Sequence, residues 1–296
     1  MNFINNIVSR IHSKFIEYTA LRPLLNSVEE NSYILEIGGG YNPRFKKDRY
    51  CNAYHLDHCD TSSLRAKYVK DGTVSHLVDQ IQYVDFVYNG SPIETIIPPP
   101  LRFDYIYSSH AIEHQVDLVG HLRSLEHLLA PQGRIILVIP DLRACFDRFR
   151  FPTVTSDALA VYLRNQKIHQ GKQVFEALAQ SISLNPGRTI RQRELIRTTF
   201  SHPLQTAYDA MCRAERDDAA FSDFHAWTFT PSSFRLMILE LFLLHLLRLK
   251  PLLITASYGN QFCVVLEMTD PKEMNSLIDK YDKQRLKLCR KLYVKL

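Results

Sequence analysis

The chain has 296 residues, a formal net charge of +5, 46% hydrophobic residues and 23% charged residues. That balance describes an ordinary folded protein with a sizeable core, and the mild positive charge admits an acidic substrate or an anionic surface without demanding either. The six cysteines, at 51, 59, 145, 212, 263 and 289, form no C-x-x-C pair, so reduced thiols of a cytoplasmic protein are expected rather than a disulfide frame or a zinc site.

In chain order, residues 2–19 place Ile4, Ile7, Val8, Ile11 and Phe15 at helical spacing. They predict an amphipathic helix that packs on its own domain or touches a membrane, and no continuous apolar core suggests a secretory signal. Tyr33–Ile37 reads as a buried parallel strand and runs straight into Gly38-Gly39-Gly40, where the backbone can turn sharply and approach a ligand. A dinucleotide loop needs G-x-G-x-x-G, but its third glycine falls on Pro43. No Gly-Lys-Ser/Thr follows either, so a phosphate loop is absent. Glu36 at the strand end would repel an anion and favours a ligand carrying an amino group. A second strand, 52–57, ends in Asp57, close to the roughly 20 residues expected between a glycine loop and a ribose-binding acid. The other reading of Asp57 is a cap for the following helix at 61–68.

Further strands are expected at 83–87, 103–108 and 134–139, with a helix at 117–130. Pro92 and Pro98-Pro99-Pro100 leave little room for a helix between the third and fourth strands. Residues 142–226 carry little strand signal and several helical pieces, broken at Asn185-Pro186-Gly187. Thr230 and Pro231 start a long helix. The apolar run 234–249 is interrupted by Arg235, Glu240, His245 and Arg248, so it reads as a buried helix and not a membrane span. Residues 254–259 and 261–268 then read as an antiparallel hairpin turning at Tyr258-Gly259-Asn260. The basic segment 280–296 reads as a solvated terminal helix, or as a contact for anionic lipid or a partner.

Four segments resemble the class I S-adenosylmethionine (SAM) dependent methyltransferases in that family's order: L-E-I-G-G-G at 35–40, H-L-D at 55–57, F-D-Y-I-Y-S-S-H-A-I-E-H at 103–114 and L-L-A-P-Q-G-R-I-I-L-V-I-P-D at 128–141. P-D-L-R-A-C-F-D-R-F-R at 140–150 and W-T-F-T-P-S-S-F at 227–234 resemble the branch associated with bacterial polysaccharide biosynthesis. The resemblance implies an α/β fold with a Rossmann-like class I methyltransferase sheet, mostly parallel with a closing antiparallel hairpin, plus a helical insert after the fifth strand. It divides the chain into an N-terminal helical segment (1–30), a SAM-binding core (31–141), a helical insert covering the acceptor (142–226), the closing helix and hairpin (227–270) and a basic C-terminal helix (271–296).

It also implies site residues. Gly38 and Gly40 would floor the methionine part of SAM, and Glu36 would order that loop or meet the amino group. Asp57 would accept from the ribose hydroxyls, Asp85 or Asn89 would hold the adenine amino group, and Ser109 and His110 would line the methionine end. An acceptor hydroxyl must lose a proton, which makes His110 and His114, four apart on a helix with Glu113 between them, the candidate bases. The alternative for Glu113-His114 is a helix-orienting cap. His225, beside Trp227, is a further candidate base or a satisfied core histidine. Arg143, Arg148 and Arg150, with Arg188, Arg191, Arg193 and Arg197, suit a phosphate or carboxylate on an acceptor.

No metal-ligand spacing is visible, so metal-independent transfer is expected. No nucleic-acid module stands out. The function expected is O-methylation of a sugar or nascent polysaccharide, in the cytoplasm or peripheral to the inner membrane. The alternatives are a lipid or other small-metabolite methyltransferase and a non-catalytic scaffold for a glycosyltransferase complex.

Overall fold

The computed structural model describes residues 25–169, 171–183, 198–216 and 224–293. The expected N-terminal helix, the Asn185-Pro186-Gly187 break and Arg188, Arg191, Arg193 and Arg197 lie outside these residues. Strands β1 (Ile34–Ile37), β2 (Ala53–Asp57), β3 (Phe86–Val87), β4 (Phe103–Ser109), β5 (Leu129–Pro140), β6 (Leu249–Ile254) and β7 (Gln261–Met268) form one sheet in the order β3-β2-β1-β4-β5-β7-β6. The first five strands pair in parallel, and β7 runs antiparallel between β5 and β6. This is the mostly parallel Rossmann-like sheet with a closing antiparallel hairpin.

Strand order reverses at β1, so the tips of β1 and β4 border the crevice in which open α/β sheets bind ligands. The central strands are apolar on both faces because both faces are covered. Leu35, Ile37, Ile106, Leu137 and Val264 point into one core with helix α3 (Leu118–Leu128) and helix α7 (Pro231–Leu243). Ile34, Tyr107, Ile136 and Val138 point the other way, against Leu25, Val28, Phe45 and Tyr50.

Helix α1 (Thr61–Val69) is capped by Asp60, whose carboxylate accepts from Ser63 N at 2.8 Å. Asp57 is therefore not the helix cap. Only a short helix, α2 (Ile93–Ile96), crosses between β3 and β4, as the prolines require. Strand β3 is two residues long rather than five. Strand β5 begins at Leu129 rather than 134, with its register slipping between Phe103 and Tyr105.

Helix α7 starts as expected, with Thr230 and Ser233 exchanging cap hydrogen bonds and Pro231 in its first turn. It ends at Leu243, and β6 opens at Leu249. The expected helix through 249 and first hairpin strand at 254–259 are thus corrected. The apolar run belongs to two elements, and Pro251 is tolerated because β6 is an edge strand.

The insert supplies helices α4 (Thr155–Leu163), α5 (Gly171–Ala179) and α6 (Leu204–Ala214). Ala158 and Val161 of α4 join the main core beside α3 and α7, so this part extends the helical layer, while α5 and α6 pack on each other. Helix α8 (Pro271–Tyr293) packs on α7 through Tyr281, against Leu239 and Phe242. Among the described residues, no helix is long and apolar enough to cross a membrane.

Candidate active site

Two loops meet at the sheet's crevice. After β1, Gly38 (φ +72°) and Gly40 (φ +47°) take left-handed conformations that cost other residues strain. A Cβ added to Gly38 would sit 3.1 Å from the Ala111 Cβ, so the glycine loop lies against the loop after β4. Glu36 holds the glycine loop from below. It is 1% exposed, and its two oxygens accept from Arg44 N (2.7 Å) and Phe45 N (2.8 Å). Of its two expected roles, this geometry performs loop ordering. Burial pushes its pKa up to about 7 against the pull of those two donors.

Asp57 ends β2 facing the same loop. Its Oδ2 accepts from Gly40 N at 3.3 Å, and its Oδ1 accepts from His58 N at 2.8 Å and meets the His58 ring at 2.6 Å. Asp85 needs a correction. It precedes β3 instead of ending it, both its oxygens hold Lys47 Nζ (2.6 and 2.7 Å), and one accepts from His55 N. That carboxylate is committed beside the middle of β2, away from the strand tips. Asn89 does follow β3, and its side chain accepts from Ser91 N at 3.0 Å. The adjoining Tyr88, Gly90 and Ser91 line a cleft of about 260 Å³ with Asp117 and His121 of the α3 start.

The loop after β4 carries the ionisable groups. Ser109 is the last residue of β4, and His110 follows at φ +52° with its Nε2 2.7 Å from Gln261 Oε1. Residues 112–114 form a 3-10 turn, so His110 and His114 do not share an α-helical face. What gathers them is Glu113, 1% exposed. Its Oε1 lies 3.7 Å from His110 Nδ1, 3.9 Å from His114 Nε2 and 3.7 Å from His225 Nε2.

His225 reaches Glu113 from the far end of the insert, with its ring edge-on to that of His114 at 4.8 Å. The Glu113 carbonyl fixes the approach by accepting from Ala226 N (2.8 Å) and Trp227 N (3.1 Å). Trp227 Nε1 donates to the Gln115 carbonyl. On its other side, His225 Nδ1 lies 2.6 Å from Asp147 Oδ2. Burial works to raise the Asp147 carboxyl, but the contacts with His225 and Arg150 outweigh it and hold it below the usual range.

Arg150 is buried and donates to Asp147 (3.0 Å) and to the carbonyls of His225 (2.6 Å) and Ala226 (3.2 Å). It is a structural brace and not the acceptor-binding arginine expected. Arg143 is paired with Asp141 at 2.7 Å, and Arg148 donates to the Arg143 carbonyl. Sequence reasoning missed Asp147. Its only local signal is the Asp147–Arg150 spacing of three inside D-R-F-R.

For SAM, the residues present fit. Two left-handed glycines turn the backbone sharply at the β1 tip, packed closely against Ala111 and Tyr68, and a buried carboxylate with acceptor capacity left on Oδ2 ends β2.

Residues 12–192 match a family model described as "Methyltransferase domain". No curated protein matches the chain. Solved structures similar to it include the CcbJ methyltransferase from Streptomyces caelestis, at 10% identity and TM-score 0.41, covering 83% of this chain and 88% of that one. A SAM-dependent methyltransferase from Anabaena variabilis ATCC 29413 shares 14% identity at TM-score 0.42, covering 84% and 82%. The glycopeptide N-methyltransferase MtfA complexed with (S)-adenosyl-L-methionine shares 12% identity at TM-score 0.39, covering 88% and 94%. These likenesses are too distant to carry an assignment. The family match is not: it spans well over half of the chain, and this protein belongs to the methyltransferase domain family.

Proposed function

We propose that the protein is a SAM-dependent O-methyltransferase acting on a sugar or nascent polysaccharide. The observation that carries this reading is the juxtaposition of the glycine loop, Asp57 and the His110–His114 loop at the tips of β1, β2 and β4. Gly38 and Gly40 would admit the methionine end of SAM against bare backbone. Asp57 Oδ2 would receive a ribose hydroxyl, and Asn89 lies beyond β3 where the adenine would be met. Ser109 and His110 border the methionine end.

Bound SAM supplies a methyl group already activated by a positive sulfur, so the protein's remaining tasks are positioning and proton removal. His110 is the base, through Nε2, which would take the acceptor's proton in exchange for its 2.7 Å contact with the Gln261 amide. Its ring is partly exposed at the strand tip, and Glu113 lies beside its Nδ1 at 3.7 Å, placed to stabilise the imidazolium that would form.

A sugar acceptor is favoured by exposed aromatic rings on the insert side. Phe146, Phe149, Phe151 and Phe200 are exposed, Phe149 meets Phe200 edge-on, and Phe146 lies 4.6 Å from the His225 ring. Exposed apolar rings gathered on one side mark a ligand surface when they form a patch, and pyranose faces stack on such rings. The test is incubation with methyl-labelled SAM and a panel of sugar nucleotides, oligosaccharides, lipids and small hydroxylated metabolites. Label transfer to a carbohydrate supports the reading. Transfer only to lipid or metabolite replaces the acceptor class, and no SAM binding at all overturns the proposal in favour of a scaffold.

A further inference from the structure

The geometry points to a divalent transition-metal site formed by Glu113, His114 and His225. Neither carboxylate oxygen of Glu113 has a hydrogen-bond partner, although the group is almost fully buried. A buried carboxylate without a compensating partner is costly. The three ring nitrogens facing Oε1, at 3.7–3.9 Å, are too far for hydrogen bonds. They stand instead at about the separation of two ligands on one ion, because metal bonds of about 2.0–2.2 Å at tetrahedral or wider angles put ligand atoms roughly 3.3–3.8 Å apart. No two of the ligand atoms offered by Glu113, His114 and His225 are more than 4.8 Å apart.

The surroundings of His225 carry the argument further. The His225 Nδ1 lies 2.6 Å from an Asp147 oxygen, so its other nitrogen, Nε2, is the one turned toward the Glu113 oxygen 3.7 Å away. That gap is filled by no protein donor, since neither Glu113 oxygen has a hydrogen-bond partner. A carboxylate behind the outer nitrogen of a ligating histidine is also the usual arrangement that fixes the tautomer and orients the ring on a metal. Arg150 holds that carboxylate in turn.

Two imidazoles and one carboxylate suit zinc and its first-row neighbours, and a three-residue set leaves a fourth position for a non-protein ligand. Sequence spacing could not reveal the site, since His225 arrives from the far end of the insert. The inference stands on side-chain placement alone and does not depend on the acceptor or on methyl transfer.

The experiment uses the full chain, freed of metal with a chelator and then titrated with Zn²⁺ alone, with bound metal counted by elemental analysis. Stoichiometric binding is expected. His114→Gln and His225→Gln should each abolish it, Asp147→Asn should weaken it by about 10–100-fold, and exposed His76→Gln should leave it intact. Substitution of Co²⁺ into the wild-type protein should give the intense visible absorption of a four-coordinate ion, a readout that needs no variant to fold. Failure of the folded wild-type chain to bind stoichiometric zinc, a weak octahedral cobalt spectrum, or unchanged affinity in folded His114→Gln and His225→Gln would each overturn the site.

Discussion

Replacing Asp57 by alanine tests the cofactor reading most directly, because the structure has removed its main competitor. The cap of α1 is Asp60, so Asp57→Ala deletes no helix cap. Its carboxylate spends three contacts inside the protein: His58 N, the His58 ring and Gly40 N, the last a long bond of 3.3 Å. A carboxylate has about four acceptor sites, which leaves room on Oδ2 for a ribose hydroxyl. Loss of that charged acceptor should cost about 1.5–3 kcal/mol of binding, roughly a 10- to 150-fold weaker Kd for SAM. The two backbone bonds lost should cost about 1 kcal/mol of stability each, or about 2–4 °C in Tm per kcal/mol for a chain of this class. Calorimetric titration with SAM and S-adenosylhomocysteine, beside a thermal melt, reads both quantities. Asp57→Asn, which keeps Oδ1 for His58, should fall between wild type and alanine in both. SAM affinity unchanged within twofold while Tm drops by the full amount would refute the ribose role and leave Asp57 as a tether for Gly40.

Three other outcomes follow from the same geometry. Gly38→Val should abolish SAM binding and lower stability by at least the roughly 1–2 kcal/mol of a left-handed backbone, since its first carbon alone meets Ala111 at 3.1 Å; calorimetry and urea unfolding check it, and wild-type affinity would show that the loop does not touch the cofactor. His121 on α3 is fully buried, and desolvation lowers its pKa to about 4, so its contribution is fully present above the ordinary value of 6.5 and is lost as pH falls toward 4. Urea unfolding of wild type should therefore lose about 2 kcal/mol more than His121→Leu between pH 7.5 and 5, and parallel pH profiles would contradict a buried neutral ring. Arg150→Leu removes one of the two charged partners of the buried Asp147 carboxylate, together with the bonds to the His225 and Ala226 carbonyls, and should cost about 3–5 kcal/mol by denaturant titration; a loss under 1 kcal/mol would mean that His225 alone satisfies Asp147.

Local signals made the sheet legible. Each of the first two strands carries an acid at or next to its last residue, and the glycines of the first loop are adjacent in sequence, so strand, turn and spacing could be read together. Asp85 misled because Y-V-D-F-V alternates in either register, and pairing with β2 settled the strand three residues later than its start was expected. The run 234–249 misled because apolar periodicity does not mark where a helix ends and an edge strand begins.

The ionisable cluster was only half legible. Glu113 and His114 are adjacent in a recognisable segment, but Asp147 and His225 are 78 residues apart and touch only when the insert closes. Arg150 reads in sequence as one of several arginines suited to an acceptor's anionic group, and only burial shows it facing inward.

The base of the insert has a consequence for what can vary in this protein. Its outgoing and returning strands are stapled together three times: Leu142 N to Phe229 O, Arg150 to the carbonyls of His225 and Ala226, and Thr153 N to Thr228 O. Everything between 154 and 224 is thus a loop whose ends are already closed. Loop-closure entropy grows so slowly that each doubling of length costs only about 0.6 kcal/mol. Beyond α4, which is anchored in the main core through Ala158 and Val161, the excursion can lengthen or shorten at little thermodynamic expense, while the stapled neck keeps His225 and Asp147 in place against Glu113. Change in that excursion therefore leaves the geometry beneath it undisturbed.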